Sequence, residues 1–378
     1  MAEKKHKHFH LLAKVIASLK VQRKNSSVYK IHVTFKFLRI FLFLSILFLA
    51  LPQCKTKTSE SNPYSGLFSK SEITRRESYG LFDKDAPLKN RVFNLDEIAS
   101  DFVKEMNEID GFEDVPTPSK NLDDFVKDIQ EVEDSLPPTV LSLAKKQLFR
   151  IYVCENLGGT ALSGFIYDKN QPVGGFILFD SNVLSRSANE WISYKENSPF
   201  ALGKTKIQIR IEKGKNDTKS NALRYIFLHE LGHIISSTYK IVPDFRSENR
   251  SFFHFPFYEG IWSTEKELVS ESSDFSIRSQ IKFYTNSISL DENWKKIYPA
   301  LESSQFPTLY SATNADDFFA ESFVSYVHVI LDSRPWDLKI FRNNKVVYQS
   351  TNGIRKPSLE KQRKMIEKIL NLEPIYGL

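Results

Sequence analysis

The chain has 378 residues, of which 41% are hydrophobic, 26% charged and 13% aromatic. These values lie close to globular averages and exclude both a disordered chain and a multi-span membrane protein, while 14 Gly and 16 Pro exclude collagen-like or low-complexity architecture. The net charge of +6 is concentrated at the start: residues 1–39 hold ten Lys or Arg against Glu3 alone, which leaves everything after residue 39 at −3, so no nucleic-acid partner is expected.

Residues 1–39 read as a basic N-terminal extension, and Lys5-His6-Lys7-His8 within it as part of a basic leader rather than a metal site. Segment 40–54 follows. Its run Ile40–Leu51, interrupted only by Ser45, is too short for a bilayer helix, which needs about 20 residues, and has the length of the apolar part of a secretory signal. Cys54 stands three residues after Leu51, which resembles a bacterial lipoprotein signal whose cysteine is acylated; Gln53 departs from the small residue usual before that cysteine. Lipidation at Cys54, a single membrane anchor and cleavage without lipid are the three readings. All imply an exported protein, at the cell envelope or outer surface or secreted, and the first two imply the membrane as a partner. The only other cysteine, Cys154, ends an alternating run and reads as a buried strand residue.

Residues 55–90 are polar and aperiodic and read as a tether, with one domain over 91–378. Leu95, Ile98, Phe102, Met106 and Ile109 predict a helix capped by Asn94. A second helix follows from Asn121 and a third from Thr139 to Leu148, separated by Pro137-Pro138. The period then changes from 3.6 to 2. Strands are predicted over Phe149–Cys154, Leu162–Tyr167, Val173–Phe179 and Lys206–Ile211, the middle two joined as a hairpin by Asp168–Pro172. A long helix is predicted from Ser220 to Tyr239, an irregular aromatic-rich insertion over 244–306, and a helix from Ala315 to Leu331. A strand pair, Lys339–Phe341 with Val346–Tyr348, and a last helix over Ser358–Leu370 close the chain.

The 220–239 helix contains His229-Glu230-Leu231-Gly232-His233. Residues four apart share a helical face, so both imidazoles can reach one zinc ion, and Glu230 beside them can take a proton from a water that the zinc activates. Only four histidines follow residue 39, and two of them have this spacing. The Gly and His that metzincins carry three and six residues further on are Ser236 and Tyr239 here, so the third ligand must come from elsewhere. Asp317 and Glu321 lie four apart on the later helix, stacked on one face with Phe318, Phe319 and Phe323 left for the core, and either could ligate while the other orients a histidine. His328 and His254 read as packing residues.

HELGH followed by Tyr310 and then Thr313-Asn314-Ala315-Asp316-Asp317-Phe318-Phe319-Ala320-Glu321-Ser322-Phe323 resembles the catalytic domain of anthrax toxin lethal factor and the Pro-Pro endopeptidases, over about residues 95–335. The resemblance implies Asp317 as third zinc ligand, Glu321 as its supporting residue or alternative ligand, and Tyr310 as hydrogen-bond donor to the reacting carbonyl oxygen. Two departures stand out: Asp at a position where the family has Glu, and a longer interval between His233 and Asp317.

The expected fold class is α+β, a zincin-like metallopeptidase fold with a small mixed sheet, an edge strand over the HExxH helix and a second ligand-bearing helix. The expected function is a zinc-dependent endopeptidase with one Zn²⁺ per chain, Glu230 as general base, and a protein or peptide substrate lying along an edge strand at Gly175, Phe176, Ile177 and Leu178. The competing expectation is a non-catalytic surface lipoprotein, a binding or adhesion module with a structural or relic zinc site.

Overall fold

The computed structural model describes residues 61–182, 184–201, 203–270 and 273–371. The extension 1–39, the segment 40–54 with Cys54 and the first residues of the expected tether lie outside them. The rest of that tether is a correction. Residues 61–90 form helix α1 (Ser65–Lys70) and short 3₁₀ turns, and bury Leu67, Phe68, Ile73 and Leu88 in the core, so the folded unit reaches back to residue 61. Four scattered apolar anchors give no periodicity for a sequence reading to detect.

The protein is a mixed α+β fold. Strand β1 (Val92–Asn94) leads into α2 (Glu97–Asp110), whose cap is Asp96 rather than Asn94: the Asp96 carboxylate accepts from Ala99 N at 2.9 Å, and Gly111 at φ 76° ends the helix. After β2 (Thr117–Pro118) come α3 (Leu122–Ser135), with Asp123 and Asp124 in its first turn, and α4 (Pro138–Gln147), begun by a proline that needs no N–H there. Strands β3 (Leu148–Glu155), β4 (Ala161–Asp168) and β5 (Gln171–Asp180) complete a five-stranded sheet in the order β1-β3-β5-β4, with β2 also pairing β3. β3 runs parallel to β1 and β5, and the β4–β5 hairpin is antiparallel. Cys154 is buried in β3 as anticipated, and burial pushes its thiol up to about 12.

Helix α5 (Ala188–Asn197), absent from the sequence reading, is followed by β6 (Phe200–Ala201), β7 (Thr205–Arg210) and the central helix α6 (Lys219–Thr238). Thr218 caps α6 by accepting from Asn221 N at 3.2 Å. Apolar residues occur all round α6, so it sits inside the protein, between the β4–β5 side of the sheet and helices α3 and α5. Glycines make the seat: a Cβ at Gly175 on β5 would stand 2.6 Å from Ile234 Cγ1 of α6.

The aromatic-rich segment 244–306 is not an irregular appendage. Phe252, Phe257, Tyr258 and Trp262 are wholly buried, and the segment ends in β8 (Ile288–Ser289), paired with β6, and α7 (Leu290–Ser303). Phe257 packs against Phe318 and Phe319 of α8 (Ala315–Ser325), with ring centroids 5.4 and 4.8 Å apart. The expected 315–331 helix leaves α geometry after Ser325 and widens to π turns over Tyr326–Leu331. Strands β9 (Asp337–Arg342) and β10 (Lys345–Thr351) form a second sheet with β7, and α9 (Glu360–Leu370) follows. Among the described residues no helix is long and apolar enough to cross a membrane.

Candidate metal centre and cleft

His229 and His233, one turn apart on α6, direct both Nε2 atoms to the same point, 3.2 Å from each other. Asp317, in the first turn of α8, brings Oδ1 to 3.3 Å from His229 Nε2 and 3.5 Å from His233 Nε2. The three donors form a nearly equilateral triangle. Tetrahedral donors at 2.0–2.1 Å from zinc lie about 3.3–3.4 Å apart, so the triangle fits one such ion, and two imidazoles with one carboxylate leave a fourth position open. His229, His233 and Asp317 are also the group among the described residues whose donor atoms lie close enough together to hold a metal.

Asp317 is held from behind. Asn314 caps α8 by accepting from Asp317 N at 2.8 Å and returns its amide to Oδ2 at 2.6 Å, which leaves Oδ1 for the triangle. Glu321, one turn later, faces the other side of His229: its Oε1 lies 3.2 Å from Nδ1, off the line of a regular hydrogen bond. The same oxygen takes the ammonium of Lys195 at 2.7 Å, and Oε2 takes Thr308 Oγ1 at 2.8 Å. Of the two carboxylates left open by spacing, Asp317 thus completes the donor set and Glu321 orients His229.

Why the shorter acid reaches is visible in the helix pair. α6 and α8 meet at Gly232, where a Cβ would stand 3.0 Å from Ala320 Cα, so the backbones approach more closely than any other residue would allow. Gly232→Ala is therefore expected to push the helices apart by a few tenths of an ångström and weaken metal binding roughly tenfold. Competition with a chromophoric chelator measures this, and Asp317→Glu in the same background should recover some of the loss. Unchanged affinity would show that helix spacing does not limit the site.

Charge follows this geometry. Burial opposes protonation of His229, but the carboxylates of Asp317 and Glu321 outweigh it and push its pKa up to about 9. Burial likewise opposes ionisation of Asp317 and Glu321; His229 and His233 hold Asp317 far below the carboxylate range, and Lys195 with His229 holds Glu321 near about 2. Lys195 is raised although burial works against its charge, because Glu321 and Glu196 face it. Glu196 is buried with neither oxygen hydrogen-bonded among the described residues, and burial pushes it up to about 7.

Tyr310, on a single 3₁₀ turn before α8, has its ring 5.6 Å from that of His229, beneath the Lys195 ammonium at 4.0 Å and edge-on to Phe283 at 4.7 Å. Burial, with Asp317 nearby, pushes its phenol well above the usual value. Glu230, Tyr310, His229 and Glu321 all line one cleft of about 290 Å³, walled opposite by Gly158–Leu162.

The expected substrate strand is corrected. Gly175, Phe176, Ile177 and Leu178 belong to β5, which is hydrogen-bonded to β3 on one side and β4 on the other and has no free edge. The edge strand is β4, whose only pairing beyond β5 among the described residues is a bridge from Tyr167 to Arg75, and its half-buried Ala161 and Leu162 line the cleft. His328 is buried, its Nε2 3.0 Å from both Ile211 O and Pro335 O, and burial pushes it down to about 3; His254 is exposed beside Phe253, and neither lines the cleft. Lys195 was not foreseen. Its signals were Ser187 as a cap and the stripe Trp191, Ile192, Lys195. No family model, curated protein or solved structure matches this chain.

Proposed function

We propose that this protein is a zinc-dependent endopeptidase with a zincin-like fold, exported and membrane-anchored through its N-terminal segment, Cys54 being the residue to carry a lipid. The observation that carries the reading is the donor triangle of His229, His233 and Asp317, which meets the cleft at His229, next to a glutamate that lines the same cleft and is not a member of the triangle. A merely structural ion needs no base beside it.

Zinc, when bound, supplies a Lewis acid that activates water and polarises a peptide carbonyl. His229 and His233 would hold the ion through Nε2, the ion standing where His229 otherwise binds the proton that its carboxylate neighbours favour, and Glu321 Oε1, 3.2 Å from Nδ1, would favour the proton on that nitrogen. Glu230 accepts the proton of the attacking water and delivers it to the leaving nitrogen. Tyr310 stays protonated throughout the working pH range, because burial raises its pKa, and donates to the oxygen on which negative charge develops. The peptide main chain pairs with the edge of β4 where Ala161 and Leu162 line the cleft, and its side chains alternate between cleft and solvent.

The purified protein is expected to bind about one zinc per chain and to cleave a peptide library, with chelation abolishing cleavage and added zinc restoring it. Elemental analysis and mass spectrometry of the products test this together. Zinc without any cleavage would favour the binding module instead.

A further inference from the structure

One residue of the aromatic-rich segment stands across the cleft in an unfavourable backbone conformation. Tyr284 has φ 63°, and Asn286 two residues on has φ 50°. A bulky side chain rarely tolerates the left-handed region, and such residues persist only where their surroundings fix them. Ser198, just past α5, does so at two points: Tyr284 N donates to Ser198 Oγ and Asn286 N to Ser198 O, each at 3.0 Å. Phe283, edge-on to Tyr310, ties the same turn to the site.

Held there, Tyr284 spans from one wall to the other. Its ring, half exposed, lies 6.3 Å from that of Tyr194 of α5, and Thr160, in the loop leading to β4, lines the cleft with it. It lines the cleft of about 290 Å³ on one side and, on the other, a second hollow of about 310 Å³ bounded by Tyr194, Ser198, Phe200, Ile207 and Leu290. The first volume must hold main chain and side chains alike, so the partition decides how large a side chain fits.

We propose that Tyr284 is a specificity-determining wall of the cleft, closing it off from the adjoining hollow and restricting the enzyme to peptides with a small residue at the position that faces Tyr284. This rests on the peptidase reading. A bulky side chain is excluded by the ring, whose backbone the two bonds to Ser198 hold in place.

The test compares the full-length protein with Tyr284→Ala and Tyr284→Gly on synthetic peptides that differ only in Ala, Leu, Phe or Trp at each position flanking the cleaved bond. The same peptides are titrated against Glu230→Gln forms of all three proteins, where binding is read by fluorescence polarisation and needs no turnover. The unsubstituted protein is expected to prefer Ala over Phe and Trp at one position by about tenfold or more, and both variants to lose most of that ratio in cleavage and in binding. Tyr284→Gly should melt no lower than the unsubstituted protein, because glycine relieves the left-handed φ. Unchanged ratios in both variants overturn the proposal, as does a fall in melting temperature of more than about 4 °C in Tyr284→Gly, which would mark the residue as a structural strut. Size-selective binding that Tyr284→Ala relaxes, without cleavage by any form, would uphold the wall and sink the peptidase reading alone.

Discussion

Replacing Glu230 by Gln is expected to leave about one zinc per chain in place and to lower peptide cleavage by about 10²–10⁴-fold. The residue lies next to His229 on α6 but contributes no atom to the triangle of His229, His233 and Asp317, so the ion does not need it. It is 8% exposed and lines the same cleft as His229. Glutamine keeps its volume and hydrogen-bonding reach and loses only the ability to take a proton. A loss of cleavage with unchanged metal content therefore isolates proton transfer. The companion variant His233→Ala should lose both metal and activity, which separates a missing base from a missing ion. Retention of cleavage in Glu230→Gln would refute the mechanism, since among the described residues the other carboxylates lining the cleft are engaged, Glu321 with Lys195, Thr308 and the back of His229, and Asp110 with the Tyr64 hydroxyl.

Lys195→Met should cost about 3–5 kcal/mol of stability, because it strands the Glu321 carboxylate in the interior without its counter-charge. Both side chains are almost wholly buried, at 5% and 1% exposure, and are joined at 2.7 Å. A drop in melting temperature of roughly 10 °C is expected. Cleavage should fall as well, since the same ammonium lies over the Tyr310 ring and fixes the carboxylate that orients His229. In Lys195→Met/Glu321→Gln the stranded charge is gone, and much of the stability should return while activity does not. A Lys195→Met protein that melts like the unsubstituted chain would show that Glu321 finds compensation elsewhere.

The features of this site that were legible in the sequence are those set by local geometry. His229, Glu230 and His233 follow from helical spacing alone, and Asp317 and Glu321 from the same spacing on a second helix. What spacing could not decide was which acid stands with the two imidazoles, because both share one helical face. That is settled by contacts distant in the sequence: the bare approach of Gly232 to Ala320, and Lys195 drawing Glu321 to the other side of His229. Lys195 itself escaped notice because α5 is short, and a lysine there reads as a solvated surface residue until its partner, 126 positions later, is known. The misassigned edge strand has a clear physical origin. Gly174–Phe179 is a continuous apolar run, the pattern of a strand covered on both faces and paired on both sides, whereas the true edge, β4, opens with the half-buried Ala161 and Leu162. The overall α+β class was legible from the change of period at Phe149. The role of residues 244–306 was not, because their aromatics pack without periodicity.

The contact between Gly232 and Ala320 also bears on ion choice. If the site holds zinc as proposed, donors 3.2–3.5 Å apart would suit an ion close to their plane, whereas calcium, with bonds of about 2.3–2.6 Å, would stand further out of it and would meet two imidazoles where it takes six to eight oxygens. On the zinc proposal, the glycine in the middle of the motif would set the distance between two rods of backbone and, through it, the size of the donor triangle.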